Sequence, residues 1–526
     1  MPYKVKKLLP MRMVISSSNK ILSFLRASHP KGVPPYDARL PAIRSVCLIS
    51  PKCPSSSRNI WVDFLGILWL KYNRLGSYID RIKEQVPYHS IALREEVIMD
   101  WSCREIPEGA AVTAAAMAPA GSAKTGLAQG STGGASAQVQ AGPRFDLLLK
   151  GGEFIDPGSG RRGQFDVAFA GDRVAAISAG IDPGLAKQVE SVAGVMVVPG
   201  VIDMHVHAAD GIGPSCNPDV IGVNRGVTTI LDAGSCGVGS FRVLKYVMAA
   251  NKTRVLAFLN LSSMGLIDMR AGEFILRNLV DVEEVVEVAK KNPDLIVGLK
   301  GRLSTYVTGQ APSIPILKLL LEAGKEANLP VMIHVGDTAE PLGQILDMLR
   351  PGDICSHYLT PRRNGILGSQ AFPGAKLIPQ IFEARKRGVI LDIARGLAMH
   401  MGFPQMQATI EAGLLPDTIS TDLTFLSIPF PAVNVFSIAT ALMSFGVPFE
   451  ECLKELTLNP ARAMRRPDLG KLEEGGIGDA TLLKIEEGDF TVSDVDGRTR
   501  KTNKRVVAVG VVRAGFYMKI APPPEA

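Results

Sequence analysis

Val201-Ile-Asp-Met-His-Val-His207 is an apolar run that ends on two histidines, and seven comparable runs follow it. They are Thr228 to Gly234, Val255 to Leu261, Leu295 to Lys300, Pro330 to Gly336, Asp353 to Leu359, Val389 to Ile393 and Thr418 to Leu423. The runs recur every 23 to 40 residues, and helix-period segments fill several of the gaps. Asp281 can cap one such helix, in which Val282, Val285, Val286 and Ala289 fall at i, i+3, i+4 and i+7 before Lys290, Lys291, Asn292 and Pro293 mark its end. Another runs through Ile316 to Ala327. Strictly alternating strands and helices predict an α/β fold whose parallel sheet is covered on both faces. A count of eight favours closure into a (β/α)8 TIM-type barrel over an open doubly wound sheet.

Outside this block the β-rich runs are shorter. Phe145 to Lys150, Asp166 to Ala170, Arg173 to Ile177 and Gly194 to Val198 precede it, and Ala480 to Ile485 and Arg505 to Ala514 follow it. Flanking runs of this kind predict a small discontinuous β-sandwich domain, built from residues 144–199 and 467–526 around a barrel at 200–466.

Residues 1–143 differ in kind. They hold all three Trp and 18 Lys/Arg against 9 Asp/Glu, so the net charge of +7 comes entirely from them and the rest carries 40 against 42. A basic arm can be an interaction tail, but the body offers no polyanion-binding surface, and no nucleic-acid partner is expected. Gly109 to Gly142 is rich in Ala, Gly and Ser, a composition that cannot bury a core. Ala110 to Ala123 resembles the apolar and cleavage regions of an export signal, although Asp100, Glu105 and Glu108 stand where a signal needs positive charge. The reading expects a poorly ordered extension, with a misplaced start upstream of a degraded signal as one account and a functionless basic tail as the other. A cytoplasmic location is favoured, or a periplasmic or secreted one if 110–123 acts as a signal. The apolar run Ile60 to Leu70 is broken by Asp63 and falls short of the ~20 residues a membrane helix needs, so no membrane partner is expected. Seven scattered Cys argue against a disulfide framework.

The chemistry gathers at the run ends. Of seven His, His205, His207, His334 and His357 stand at or near the C-terminal ends of predicted strands, where barrel active sites are built. Alternate residues of a strand share a face, so His205 and His207 project together and can hold one metal. A single His at such a place is ordinarily a hydrogen-bonded core or surface residue, but four with the same placement favour ligands. Lys300 shares a face with Ile296 and Gly298 and would point into the barrel mouth. Burial pushes an amine there toward its neutral form, which can react with CO2 to give a carbamate able to bridge two cations. Asp422, at the end of the eighth run, can ligate a metal and move a proton, or cap a following helix. Arg302 lies two residues beyond Lys300 and can meet a substrate carboxylate or form an ion pair within the barrel.

His205, His207, Lys300, His334, His357 and Asp422 resemble, strand for strand, the binuclear metal site of the amidohydrolase superfamily. Val197 to His207 is similar to that superfamily's first barrel strand, Leu456-Thr-Leu-Asn-Pro-Ala461 to its helix leading out of the barrel, and Gly475-Gly-Ile-Gly-Asp479 to the return into its small β domain. Gly226 to Gly234, Phe258 to Ser262, Gly298 to Arg302 and Ile419 to Asp422 most resemble the amidohydrolase/deacetylase metallohydrolases, which sit near the dihydroorotases. The resemblance covers Phe145 to about Lys519. It implies two divalent metals, with Zn2+ preferred, bridged by a CO2-derived carbamate on Lys300, and Asp422 as the catalytic acid and base. It also implies a small-molecule substrate, an N-acyl or O-acyl small acid, with a cyclic amidohydrolase of the dihydroorotase or hydantoinase kind and a noncatalytic scaffold as alternatives. A homo-oligomer is compatible with it. Arg395 stands where much of this subgroup has His, and His400 reads as a loop residue rather than a ligand.

Overall fold

The computed structural model of the protein describes residues 143–368, 375–397, 399–429 and 433–521. The expected basic extension and its signal-like stretch at 110–123 lie outside the described residues. Among the described residues, no helix is long and apolar enough to cross a membrane.

The chain begins with β1 (Phe145–Asp156), β2 (Arg161–Ala170), β3 (Arg173–Ser178), β4 (Ala186–Ser191) and β5 (Met196–Pro199). It then lays down β6 (Val201–Val206), β7 (Val227–Ala233), β8 (Arg254–Asn260), β9 (Ile296–Arg302), β10 (Val331–His334), β11 (Ile354–Ser356) and β12 (Ile390–Asp392). It ends with β13 (Ala480–Ser493), β14 (Thr499–Arg513) and β15 (Phe516–Lys519).

Strands β6 to β12 form one sheet in chain order, and every neighbouring pair is parallel. Parallel neighbours require a crossover, and helices supply it. In helix Val282–Lys291 the Asp281 carboxylate accepts from Glu284 N at 3.0 Å, and the buried face is Val285, Val286 and Ala289, as the spacing predicts. Helix Ile314–Glu326 buries Ile316, Leu317, Leu320 and Ala323. The eighth run, Thr418 to Leu423, is not a regular strand. It makes two isolated parallel bridges, Thr418 to Asp392 and Leu423 to Val206, so it lies against both β12 and β6. Hydroxyls explain the irregularity: Ser420 and Thr418 donate to Asp392, and Thr421 donates to Asp203, offering the backbone side-chain partners in place of a continuous ladder.

One face of this sheet packs on the helices. The other carries Ile202, Met204, Leu231, Leu256, Phe258, Val297, Met332 and Ile354, which share a cluster with Ala461, Met464 and Leu469 of the outgoing chain. Gly298 is required there, because a Cβ would stand 2.5 Å from the Phe258 ring. The polar site lies at the C-terminal strand ends above this apolar layer.

The flanking strands form one eight-stranded sheet, ordered β15-β14-β13-β5-β1-β2-β3, with β4 paired to β1. The two ends of the chain meet where β13 pairs antiparallel with β5, Ala480 opposite Pro199. Thr481 Oγ1 accepts from Val201 N and donates to Gly226 O, both at 3.0 Å, while Asp479 pairs with Arg254 and Arg513. These bonds fix the small sheet to the starts of β6, β7 and β8. The β13–β14 hairpin runs well beyond the predicted Ala480 to Ile485. Past its end, Asp494 accepts from Phe403 N at 3.0 Å and Val495 N donates to Met401 O at 3.1 Å.

Candidate metal centre

β6 delivers its two histidines through an irregular register between Asp203 and Val206. His205 is fully buried, and its Nδ1 lies 2.7 Å from Ser356 Oγ, which in turn donates to Asp392 Oδ2 at 2.5 Å. Asp392 also takes the Thr418 and Ser420 hydroxyls at 2.8 and 2.6 Å. With its proton given to the carboxylate, Ser356 must accept from His205 Nδ1–H, which leaves His205 Nε2 as a bare lone pair aimed into the site. His207 Nδ1 meets Ser235 Oγ at 2.9 Å. The Nε2 atoms of His205 and His207 both face Asp422 Oδ1, at 3.5 and 3.2 Å. Burial pushes His205 well below the ordinary imidazole range and pushes the Asp392 carboxyl up against its three hydroxyl donors.

Lys300, at the fifth position of β9, is fully buried. Its stem fits because residue 234 is glycine, where a Cβ would lie 2.6 Å from Lys300 Cγ. Nζ meets His205 Nε2 at 3.1 Å and Met332 Sδ at 3.3 Å, an imidazole and a thioether rather than a carboxylate. Burial accordingly pushes the amine down to about 7. Asp422 N donates to His205 O at 2.7 Å, and Asp422 takes φ +57°, a left-handed conformation that costs a non-glycine residue about 1–3 kcal/mol. Its alternative reading as a helix cap is corrected by Thr424, which caps the 3-10 turn Phe425–Ser427.

His334 and His357 stand face to edge, ring centroids 4.1 Å apart. Ser356 points at His205, so strict alternation would turn His357 away from the site. A left-handed φ of +68° re-aims it inward. His357 Nδ1 donates to Ala394 O at 2.6 Å, which leaves its Nε2 bare. His357 also lies 4.8 Å from His205, centroid to centroid, so the two sets of histidines adjoin. His400, read from sequence as a loop residue, is in a loop but is buried against this pair, 3.9 Å from His357 and 4.8 Å from His334. Burial pushes its imidazole down to about 4.

Arg302 is buried in a bidentate pair with Glu273, Nε to Oε1 at 2.5 Å and Nη2 to Oε2 at 2.7 Å, and its Nη1 donates to the Tyr306 hydroxyl at 3.1 Å. Arg395 turns away, donating to the carbonyls of Gly396, Leu397 and Ser493. The strand before it, β12, contributes Asp392 instead. Asp392, Ser356, Ser235 and Glu273 are not among the residues predicted from sequence, and His400 is predicted there as a loop residue rather than a ligand. The signal for Asp392 is its place one residue before the end of the predicted run Val389 to Ile393, and Ser356 directly precedes a predicted ligand.

Imidazole nitrogens and carboxylate oxygens suit borderline divalent cations. Among the described residues, two groups have ligand atoms within 4.8 Å of one another, His205 with His357 and Asp422, and His334 with His357 and His400. The Nε2 atoms of His334 and His357 are buried without a hydrogen-bond partner, which a cation would supply. The donor set therefore fits divalent metal.

A model of the Amidohydrolase family matches residues 196–513. A deacetylase of Agrobacterium fabrum is 33% identical over 338 residues, covering 63% of this chain and 81% of that protein. Among solved structures, an adenine deaminase shares 27% identity with a TM-score of 0.66, over 71% of this chain and 100% of that one. A dihydroorotase shares 28% identity with a TM-score of 0.65, over 71% of this chain and 99% of that one.

Proposed function

This chain belongs to the amidohydrolase family, and from that premise we propose that it removes an N-acyl or O-acyl group from a small acid at two divalent cations. It is a hydrolase of carbon–nitrogen bonds; the acyl group and the small acid are our reading, supported by the likeness to a deacetylase. The observation that carries it is the convergence of four imidazoles, one amine and one carboxylate on one end of the parallel sheet.

His205, His207, Lys300, His334, His357 and Asp422 hold the cations, for which we favour Zn2+. Bound there, the cations supply Lewis acidity toward the acyl carbonyl and acidify water. Lys300 would serve as a carbamate: its neutral Nζ would add to the carbon of CO2, with an N–C bond formed and one proton released, so that the buried amine would offer two anionic oxygens to the cations. Among the described residues the hydrogen-bond partners of Nζ are an imidazole and a thioether rather than a carboxylate, which supports this, since a buried ammonium is poorly served by such acceptors. Ser356 and Asp392 orient His205, and Ser235 orients His207. Asp422 takes a proton from the attacking water and returns it to the leaving nitrogen or oxygen. Its side chain is 13% exposed, against 0% for His205, so it can reach substrate. Glu273 occupies the Nε–Nη2 edge of Arg302, which favours the ion-pair role; a substrate carboxylate would meet Nη1 and the Tyr306 hydroxyl.

In the same reading, residues 200–466 are a (β/α)8 barrel closed by 418–423, and 144–199 with 467–526 are one β-sandwich. Hydrogen bonds to 418–423 from both β6 and β12 support the first. A core shared by Phe169 and Val174 with Leu482 and Val512 supports the second.

The test is a parallel screen of acylated amino and hydroxy acids beside cyclic imides and dihydroorotate-like rings. Turnover of the acyl acids is expected. Turnover of the rings alone would move the chain to the cyclic amidohydrolase reading, which the dihydroorotase likeness supports.

A further inference from the structure

We propose that His400 is a third imidazole donor to the cation held by His334 and His357, making that half of the centre a three-histidine site. The proposal rests on the reading of the strand ends as a divalent-metal centre and adds a residue outside the six.

Three ring nitrogens carry it. His334 Nε2, His357 Nε2 and His400 Nδ1 are each buried and without a hydrogen-bond partner, and the three residues' ligand atoms lie within 4.8 Å of one another. A buried polar atom left unmet costs about 1–3 kcal/mol, so three in one place need a common partner. They do not serve one another. His357 has already committed its Nδ1 proton to Ala394 O, so its Nε2 is a lone pair. One electrophile placed among three lone pairs satisfies all of them; three imidazoles alone do not.

The position of His400 is built rather than incidental. Its ring sits between two glycines with left-handed or extended positive φ. A Cβ on Gly336 would stand 2.9 Å from His400 Cε1, and one on Gly396 would stand 3.0 Å from Cδ2. Larger residues at either place would displace the ring from the pair. His400 N donates to Arg395 O at 3.1 Å, closing the turn that presents it. The next residues are pinned by the β13–β14 hairpin, through Val495 N to Met401 O and Phe403 N to Asp494. Arg395 fastens the other side of the turn to Ser493 O and the carbonyls of Gly396 and Leu397. The small β domain therefore acts on the metal centre at a distance, by fixing the loop that carries a ligand.

Cobalt tests this, because its visible spectrum reports its donors. The full-length protein, stripped of metal and titrated with Co2+, is compared with His400→Cys and His400→Ala, each checked for native far-UV circular dichroism. A sulfur at residue 400 within bonding reach gives a thiolate-to-cobalt charge-transfer absorption that the parent lacks. His400→Ala weakens one of the two Co2+ equivalents by about 10-fold or more, at least as much as loss of an outer-shell partner does. His400→Asn, close in size, shifts the cobalt d–d bands and keeps the test available if the cysteine variant does not fold. Two Co2+ bound with parent affinity and an unchanged spectrum in these variants would overturn the role of His400 alone. A parent protein that binds no Co2+ would overturn the metal-centre reading and this proposal with it.

Discussion

His205 and His207 each have a hydroxyl behind the ring and Asp422 in front of it, whereas His334, His357 and His400 face one another with three bare nitrogens. The first set is nearly satisfied by the protein's own groups. The second is not, and its members are held in place by backbone devices instead: a left-handed φ at His357, a carbonyl at Ala394, and glycines at 336 and 396. The difference separates two kinds of preparation for a cation. At the end of β6, the proposed ligands are oriented by side chains that remain content without metal; at β10, β11 and the loop after β12, the fold stores unmet polar atoms that a bound metal would relieve.

The largest effect should come from the group that faces both ligand and substrate. Asp422→Asn is expected to lower kcat by about 10^2–10^4-fold, the range of a lost general acid and base, while elemental analysis finds the cation content retained. Loss of cation and activity together would instead make Asp422 chiefly a ligand. Removing metal by chelation should destabilise the fold by about 3–4 kcal/mol for each cation, relative to protein in free cation at 100 to 1,000 times its Kd, read by urea unfolding. Hydrogen exchange in the same pair of samples should accelerate more at residues 394–401 than at β6 and β7; equal acceleration would erase the contrast between the sets. Asp392→Asn keeps an oxygen acceptor for Thr418 and Ser420 but turns an amide donor toward Ser356 Oγ, and should cost about 10–100-fold in metal affinity or activity, as outer-shell losses do. Smallest is Ser235→Ala, which removes one neutral hydrogen bond to His207 and should change kcat/KM by less than about 10-fold. A larger loss there would show that the β6 set depends on its hydroxyls more than Asp422 compensates.

Much of this was legible because apolar periodicity and strand-end position are local. Seven of the eight predicted runs are strands, and Lys300 and the four histidines lie within two residues of their C-terminal ends. The eighth run, Thr418 to Leu423, hid its irregularity because Ser420 and Thr421 look like ordinary strand residues until their partners Asp392 and Asp203 are known. The outer half of the β13–β14 hairpin is polar and exposed, so no alternation marked it, and β4, Ala-Lys-Gln-Val-Glu-Ser, was missed for the same reason. His400 could not be placed from its neighbours in sequence. Its burial depends on Gly336, on Gly396 and on a hairpin tip more than 90 residues further along the chain. The same long-range pinning draws Arg395 away from the site, a direction that no strand periodicity encodes.

The central claim is that these strand ends hold divalent metal bridged at Lys300. Elemental analysis of protein purified without chelator and in the presence of bicarbonate, alongside Lys300→Ala, tests it most directly. Two divalent cations per chain in the parent, and a marked loss in the folded variant, are predicted. A folded, active parent that carries none would contradict it.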